Sequence, residues 1–279
     1  MELSIAIVSY NARDELEACL ASVFESAADA VPEVIVADNA SSDDSVSMLR
    51  DRFPQVDVME SKQNVGFSRA NNLCWRRARN PLVLFLNSDT VVPNGALARM
   101  VAFMNERPYV GALGPLLRNT DGSIQMSFGQ MMSLSAELRQ KVLNAGYRDG
   151  HGPLCSYVEK LHAREREVDW VSGACLLVRR TDAEQVGLLD EQFFLYLEDV
   201  DFCAALRRAG RQVWFSPDIE VVHHRGRSGA TSPAATRTAY RLSQLAFYDK
   251  HHPSWAPYLR LYLRAKGELP AETPTASRT

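Results

Sequence analysis

Short apolar runs alternate with longer amphipathic stretches between Leu3 and Gly114. The longer stretches carry apolar residues at helical spacing, as at Leu16, Leu20 and Val23. Strands that alternate with helices predict βαβ units and an α/β fold, in which helices flank a mostly parallel, Rossmann-like central sheet. The predicted strands are Leu3–Val8, Glu33–Ala37, Val56–Glu60, Leu82–Leu86 and Val110–Leu113.

The pattern is less regular in the second half of the chain. Residues 131–166 show no clean periodicity, and we interpret them as a variable insertion or a loop that faces the substrate. The remaining predictions are a turn at Asp121-Gly122, strands at Ala174–Val178, Gln212–Phe215 and Glu220–His223, a helix at Val200–Ala209 ended by Gly210, and one or two helices within 236–266.

Polar clusters follow three of the predicted strands. They are Ser9-Tyr10-Asn11, Asp38-Asn39-Ala40-Ser41 and Asn87-Ser88-Asp89. Ligands of open parallel sheets bind beyond the carboxyl ends of the strands, so the three clusters nominate one shared site. A carboxylate in this position suits Mg²⁺ or Mn²⁺, although Asp38 and Asp89 are also typical of turns that merely end a strand.

Composition narrows the class of protein. The 279 residues are 46% hydrophobic and 23% charged, which is typical of a globular chain. Net charge is −3, so bulk charge does not favour nucleic acid as a partner. The five cysteines are scattered without a CxxC pair, which indicates a reducing compartment. Without a recognisable signal or spanning segment, we expect a cytoplasmic protein, with attachment to the inner face of the cell membrane left open.

A second acidic cluster, Glu198-Asp199-Val200-Asp201, begins a predicted helix. Acids at a helix N-terminus are stabilised by the dipole, which is a sufficient structural explanation for one or two of them. The functional alternative is general-base catalysis by one of these carboxylates. Asp201 is two residues from Asp199 and points elsewhere on a helix, so we assign it a structural role.

The order of these motifs resembles glycosyltransferase family 2, and most closely its bacterial rhamnosyltransferase-like branch. Further segments carry the resemblance, namely Asn64-Val65-Gly66-Phe67 with Asn71-Asn72, Trp170–Cys175, Asp190–Asp201 and Val221–His224. It implies a GT-A fold over residues 1–230, with a nucleotide-binding half (1–118) and an acceptor-binding half (119–230). A basic, aromatic helical extension (231–267) and a disordered tail (268–279) would follow.

The resemblance also implies roles for individual residues. Asp199 would be the catalytic base, and Asp89 and His223 would hold a divalent metal, Mn²⁺ or Mg²⁺. Asn87 replaces the first carboxylate of the family's Asp-x-Asp motif, which leaves one acidic ligand fewer. The donor-binding residues would be Ser9, Asn11, Asp38, Asn39, Asn64, Gly66, Asn72, Asn87, Ser88 and Asp89, and the acceptor-binding residues Trp170, Gly173, Tyr196 and Glu198.

The expected activity is inverting transfer of one sugar in cell-surface polysaccharide synthesis. L-rhamnose from dTDP-rhamnose, passed to a saccharide or lipid-linked acceptor, is the favoured reaction, and a UDP-hexose donor is the nearest alternative. The chain lacks the Gln-x-x-Arg-Trp motif of processive synthases, which favours single addition. A nucleotidyltransferase, a catalytically silent nucleotide-sugar-binding module and a glycoside hydrolase are the alternatives from other classes.

Basic and aromatic residues are concentrated near the C-terminus. Residues 236–266 contain six Lys or Arg and one acid, with Trp255, Tyr258 and Tyr262 among them. One interpretation is a solvated helix packed on the domain, and the other is attachment to an anionic membrane surface. A second basic segment, Arg225–Ser228, is expected to close over the donor diphosphate.

Overall fold

A twisted sheet forms the centre of the computed structural model, which describes residues 2–27, 31–224 and 233–269. Along the sheet the described strands follow the order β3-β2-β1-β4-β11-β6-β12-β5, with β7 beside β6 and β9 beside β12. Strands β1 to β4, β6 and β12 run in one direction, and β11 runs opposite to its neighbours β4 and β6. The predicted mostly parallel α/β sheet is confirmed.

The elements before Asn119 match the predicted strands closely. They are β1 (Leu3–Ser9), α1 (Arg13–Ala27), β2 (Glu33–Asp38), α2 (Ser45–Arg52), β3 (Asp57–Glu60), α3 (Phe67–Arg77), β4 (Leu82–Asn87), β5 (Thr90–Val91), α4 (Ala96–Glu106) and β6 (Val110–Arg118).

The elements after Asn119 include several that the pattern did not predict. They are β7 (Ile124–Gln125), β8 (Phe128–Gly129), α5 (Leu134–Arg148), α6 (Gly152–His162), β9 (Arg166–Val168), β10 (Trp170–Val171), β11 (Cys175–Arg179), α7 (Arg180–Val186), α8 (Glu198–Arg208), β12 (Gln212–His223), α9 (Pro233–His251) and α10 (Ala256–Ala265).

Two expectations for this half were wrong. Residues 131–166 contain helices α5 and α6 rather than a loop. The pattern did not reveal α5 because its apolar residues lie on two opposite sides. Leu134, Leu138 and Val142 share one side and are exposed, whereas Leu143 is buried on the other. The two short strands predicted after Gly210 are one strand, β12, whose pairing with β6 shifts register between Ser216 and Glu220.

The core lies on both faces of the sheet because side chains alternate along each strand. On β1, Ile5 and Ile7 pack with α1 and α4, whereas Ala6 faces the cluster that contains Trp75 of α3 and Phe202 of α8. A third cluster holds α9 and α10 against the segment that precedes α8. The expected loop at Arg225–Ser228 and the expected tail beyond residue 269 lie outside the described residues.

A backbone clasp joins the beginning of α3 to the segment before α8. The N–H of Phe67 donates to Phe194 O at 2.7 Å, and Ser68 Oγ donates to Phe193 O at 2.6 Å. Gly66 has a φ of +87°, and a Cβ placed there would lie 2.7 Å from Phe194 O. Glycine is therefore required at residue 66 both for its conformation and for the close approach of a second backbone.

We expect Gly66→Ala to be far more destabilising than a substitution that adds conformational strain alone. Gly187 also has a positive φ, +92°, but its ψ of 17° is left-handed helical, whereas the ψ of Gly66 is 169°, and a Cβ added at Gly187 would meet no atom within 4 Å. Gly187→Ala is therefore the reference substitution and should cost about 1–2 kcal/mol. Gly66→Ala should cost about 1–3 kcal/mol more, because its backbone region is essentially confined to glycine and because the Cβ would overlap Phe194. Urea unfolding measures both, and equal losses would contradict the role of the Phe194 contact.

Candidate active site

Three strands present their polar ends side by side at one edge of the sheet. Ser9 pairs with Asp38, and Val8 pairs with Asn87, so the three predicted clusters meet as expected. Ser9 Oγ and Asp38 Oδ1 are buried and have no hydrogen-bond partner among the residues that the structure describes. Buried polar atoms are normally paired, so these two atoms mark a place where a polar ligand supplies the missing bonds.

Neighbouring loops are held in place by side chains that were predicted to bind the donor. Asn11 Oδ1 accepts from Ser42 N at 2.7 Å, and the backbone N–H of Asn11 donates to Ser41 Oγ. Asn39 Nδ2 donates to Asn64 Oδ1 at 2.9 Å, and Asn64 Oδ1 also accepts from Gly66 N at 3.0 Å. These residues border the strand edge, but the structure uses much of their hydrogen-bonding capacity to shape the loops.

Asn72 lies away from this edge, and Gly66 serves a different contact from the one predicted. The amide of Asn72 donates to Leu189 O at 2.8 Å and accepts from Leu189 N at 3.2 Å. Asn72 lines a separate cavity together with Arg76 and Glu191. The close approach at Gly66 is made by Phe194. Both residues thus join the two halves of the protein.

His223 and Asp89 face each other next to Asn87. The Nε2 atom of His223 lies 3.2 Å from Asp89 Oδ1 and 3.3 Å from Asn87 Nδ2. His224, on the other face of the strand end, instead has its Nδ1 3.0 Å from Thr120 Oγ1. The alternation along β12 therefore places His223, and not His224, beside the acidic residue.

Gln125 determines which nitrogen of His223 carries the proton. Gln125 Nε2 donates to Asn119 Oδ1 and to His223 O, so its Oε1 accepts from His223 Nδ1 at 3.0 Å. In the neutral ring Nε2 then presents its lone pair toward Asp89 Oδ1. Such a hydrogen bond behind the ring is typical of metal-binding histidines, and sequence analysis did not identify Gln125.

The donor set fits a divalent metal that also binds a second ligand. Asp89 Oδ1 and Asn87 Oδ1 are buried and accept no hydrogen bond within the described part of the chain. Over the same residues, no group of three or more His, Cys, Asp or Glu side chains is placed to hold a metal. Asp89 and His223 would therefore supply two ligands, with the others coming from donor phosphate oxygens and water.

Asp199 occupies the beginning of α8 and is held by two backbone N–H groups. Its Oδ2 accepts from Gly173 N at 2.7 Å, and its Oδ1 accepts from Val200 N at 2.8 Å. Burial raises the pKa of Asp199, and these hydrogen bonds oppose that rise. A carboxyl with a raised pKa and a fixed orientation has the properties of a general base.

The pKa of Glu198, beside Asp199, is raised further. Glu198 is 5% exposed, and its Oε2 lacks a hydrogen-bond partner among the described side chains and backbone. Burial raises the pKa of Glu198 well above its ordinary value, and the charge of Asp199 raises it further. Two buried neighbouring carboxyls oppose each other's ionisation, and Glu198, whose Oε2 has no donor among the described residues, is the one whose pKa is raised more.

A cavity of about 360 Å³ opens in front of both carboxyls. Its walls come from α5, α9, the strand β10 and the segment before α8. Trp170, Tyr196, Glu198 and Asp199 line it, which places three of the four predicted acceptor residues on its surface. Gly173 instead holds Asp199. Further lining residues that sequence analysis missed are Met132, Gln140, Lys141 and Tyr240.

The cavity and the strand edge are connected through Gly173 and Ala174, the two residues before β11. Asn87 N donates to Ala174 O at 2.9 Å, and the adjacent Gly173 N donates to Asp199. Gly173 and Ala174 thus link the carboxylate of Asp199 by hydrogen bonds to the end of β4, which carries Asn87 and is followed by Asp89. This arrangement sets the position of Asp199 relative to the strand end that carries Asn87 and Asp89.

Asp201 links α8 to α9. It is buried, and it accepts from Lys250 Nζ at 2.8 Å and from His251 Nε2 at 2.6 Å. Both partners belong to α9, so Asp201 fastens the C-terminal helices to the helix that carries Asp199.

Comparisons with known proteins agree with this geometry. A family model described as Glycosyl transferase family 2 matches residues 4–187. An N-acetylglucosaminyl-diphospho-decaprenol L-rhamnosyltransferase of Mycobacterium tuberculosis is 34% identical over 274 residues, covering 94% of this chain and 89% of its own. Rhamnosyltransferase WbbL of Escherichia coli is 26% identical over 228 residues, covering 79% of this chain and 82% of its own.

The fold is shared with solved glycosyltransferases. A mannosyltransferase of Pyrobaculum calidifontis, solved in complex with GDP-Man and Mn²⁺, superimposes with a TM-score of 0.63 at 19% identity. The match covers 93% of this chain and 68% of that chain. The GT-A fold predicted from the motifs is therefore confirmed.

We expect Glu198→Gln to stabilise the protein at alkaline pH. A carboxyl with a raised pKa binds more protons when folded, so wild-type stability falls as pH rises from about 4.3, the pKa of an unfolded Glu, toward the raised folded value. At pH 8 the variant should be more stable by on the order of 1 kcal/mol, because no buried charge forms. Urea unfolding from pH 5 to pH 9 measures this.

The matched control for this substitution is Glu159→Gln, on the exposed side of α6. It should follow the wild-type pH profile. A profile for Glu198→Gln that also parallels wild type would show that Glu198 is not the protonated carboxyl.

Proposed function

Because the chain belongs to glycosyltransferase family 2, we propose that it transfers one L-rhamnosyl unit from dTDP-rhamnose, with inversion, to a saccharide or lipid-linked saccharide acceptor. That the chain is a glycosyltransferase follows from the family and from its hexosyltransferase relatives. The donor, the acceptor and the stereochemistry are the proposal. Support for rhamnose comes from two relatives named as rhamnosyltransferases.

The position of Asp199 is the observation that carries the proposal. Inversion by direct displacement requires an acceptor hydroxyl to attack the anomeric carbon from the side opposite the leaving diphosphate. A base must take the hydroxyl proton as the new bond forms. Asp199 lies on the cavity wall, where the N–H groups of Gly173 and Val200 fix the orientation of its carboxylate and oppose the rise of its pKa.

At the proposed donor site, Ser9 Oγ and Asp38 Oδ1 have no hydrogen-bond partner among the described residues and can bind a ligand. Asp38 Oδ2 accepts from Ser41 N, so Oδ1 remains for an N–H of a pyrimidine base, and Ser9 Oγ lies beside it. A carboxylate that accepts from the base N–H serves thymine and uracil equally. The UDP-hexose alternative is therefore tested in the same experiment as the favoured donor.

The diphosphate would be bound at the edge that carries Asp89 and His223. A Mn²⁺ or Mg²⁺ ion bound there would supply positive charge to the leaving phosphate oxygens. Asp89 holds one carboxylate oxygen free of hydrogen bonds within the described part of the chain, and Gln125 bonds His223 Nδ1, which directs Nε2 toward that oxygen. Asn87 Oδ1 adds an uncharged acceptor in the same place.

The acceptor would enter the cavity from the side of α5 and α9. Trp170 and Tyr196 offer ring faces for a sugar, and Glu198, being protonated, can donate a hydrogen bond to it. The M. tuberculosis relative acts, by its name, on a decaprenol-linked substrate. We extend a lipid-linked acceptor, a role in cell-surface polysaccharide synthesis and a place at the cytoplasmic face of the membrane to this chain as parts of the proposal.

The decisive experiment compares wild type with Asp199→Asn across a panel of nucleotide sugars. With dTDP-rhamnose and Mn²⁺, wild type should transfer sugar, and the variant should lose about 10²–10⁴-fold in kcat because the proton has no acceptor. Donor affinity, measured by calorimetry, should stay unchanged. The anomeric configuration of the product, read by NMR, tests inversion.

Three results would contradict parts of this proposal. Selective use of a UDP-sugar would replace the donor and leave the base in place. Full activity of Asp199→Asn would remove the base assignment. Binding of no nucleotide sugar by wild type would remove the proposed reaction altogether.

We also expect Gln125→Leu to weaken Mn²⁺ binding. Loss of the hydrogen bond to His223 Nδ1 frees the ring to rotate and to change tautomer, and such changes cost about 10–100-fold in metal affinity. Calorimetry of Mn²⁺ in the presence of dTDP measures this. Gln212→Leu, at the other end of β12, is the control, since the Gln212 side chain bonds only Trp214 in the described structure. Equal Mn²⁺ affinity in both variants would contradict the role of Gln125.

A further inference from the structure

Helix α10 is apolar on two opposite sides. Its inner side buries Ala256, Leu259 and Leu263 in the cluster that joins α9 to the segment before α8. Its outer side leaves Tyr258 69%, Leu261 70% and Tyr262 53% exposed. Trp255, at the N-cap, is 53% exposed. Residues spaced three and four apart share one side of a helix, so these side chains form a continuous surface, here called the α10 outer face.

An apolar outer face is unusual for a helix that already buries its other side. A helix that is hydrophobic all round is normally enclosed by protein or by lipid. Within residues 2–27, 31–224 and 233–269, Lys266 lies over the Tyr262 ring at 5.0 Å and the rings of Trp255 and Tyr258 are 6.1 Å apart, yet each of the four side chains stays more than half exposed. Over the same residues, no helix has the length and apolar character needed to cross a bilayer. The arrangement fits a helix that lies along a surface.

The charges around this face are positive. Arg264 and Lys266 are exposed and form no ion pair with any described residue. The two nearest acids in sequence are neutralised, since Asp249 pairs with Arg260 at 2.7 Å and Glu268 pairs with Arg241 at 2.7 Å. The face is therefore bordered by cations without an ion-pair partner and by no unpaired anion among the described residues of α9 and α10.

A second copy of the chain is a poor occupant for this face. In a two-fold contact the same patch meets itself, which would bring Arg264 and Lys266 of both copies together. Trp and Tyr are instead the side chains that prefer the boundary between headgroups and acyl chains, and flanking Lys or Arg bind anionic headgroups.

We propose that the α10 outer face binds the surface of an anionic lipid bilayer, with Trp255, Tyr258, Leu261 and Tyr262 at the headgroup boundary. Membrane binding by this face rests on the proposed function only for its biological role, which is to bring the enzyme to a lipid-linked acceptor. Leu259 and Leu263 pack in the same cluster as Met132 and Val200, which line the acceptor cavity. The proposed membrane face and the cavity are thus supported by one packed cluster.

The test is binding of the full chain to phosphatidylglycerol vesicles and to phosphatidylcholine vesicles, measured by co-sedimentation without donor or acceptor. Wild type should bind the anionic vesicles more tightly. Leu261→Ser/Tyr262→Ser should weaken binding at least about tenfold, because two apolar contacts are lost. Tyr109→Ser is the control, since Tyr109 is 47% exposed beside the start of β6, away from α10, and should bind as wild type does.

A second pair of variants tests the charges. Arg264→Gln/Lys266→Gln should weaken binding to anionic vesicles about twentyfold at low salt and leave binding to phosphatidylcholine unchanged. Arg99→Gln/Arg164→Gln removes two exposed cations elsewhere and should have no effect. All substituted residues are exposed, and equal unfolding midpoints will verify that each variant is folded.

Two outcomes would overturn the proposal. One is vesicle binding by wild type that is absent or unaffected by both α10 variants. The other is a wild-type dimer, seen by light scattering, that Leu261→Ser/Tyr262→Ser converts to a monomer, since a second copy would then cover the face. Transfer to a water-soluble acceptor should be equal in wild type and these variants. If wild type binds vesicles but transfers no sugar to any acceptor, the proposed function is refuted and the proposed membrane face is not.

Discussion

The hydrogen bond from Gly173 N–H to Asp199 is the interaction on which the site depends. A carboxylate removed from water keeps its charge only where donors point at it, and Asp199 has two such donors while Glu198 Oε2 has none within the described residues. That difference separates the proposed base from its neighbour Glu198, whose pKa is raised further. Because the next residue, Ala174, binds Asn87 of β4, the same short segment also sets the base relative to the donor edge.

The backbone clasp between α3 and the segment before α8 also fixes the position of α8, the helix that carries Asp199. Gly66 lets the two backbones meet, and Asn72 secures residues that follow α7. Residues expected to contact the donor therefore act between the two halves of the protein. Lys250 and His251 complete the support through Asp201, so α9 stabilises the helix that carries the base. The acceptor cavity is built by elements from distant parts of the chain around one short motif.

The orientation of the His223 ring depends on strand alternation and on one hydrogen-bond partner, Gln125. Alternation along β12 directs His223 toward Asp89, and Gln125 then selects the ring nitrogen that faces the acid. The two effects have different origins. Strand periodicity is local and visible in the sequence, whereas the Gln125 contact joins residues 98 positions apart.

The sequence by itself determined the alternating strands and helices, the meeting of Ser9, Asp38 and Asn87 at one edge, and the acidic start of α8. All of these follow from periodicity and from the rule that parallel strands end together. Tertiary structure alone decided the helical state of α5 and α6, the partners of Asn72 and Gly66, and the walls of the cavity. The physical reason is that these features depend on contacts between residues far apart in the chain, and such contacts leave no local pattern in hydrophobicity.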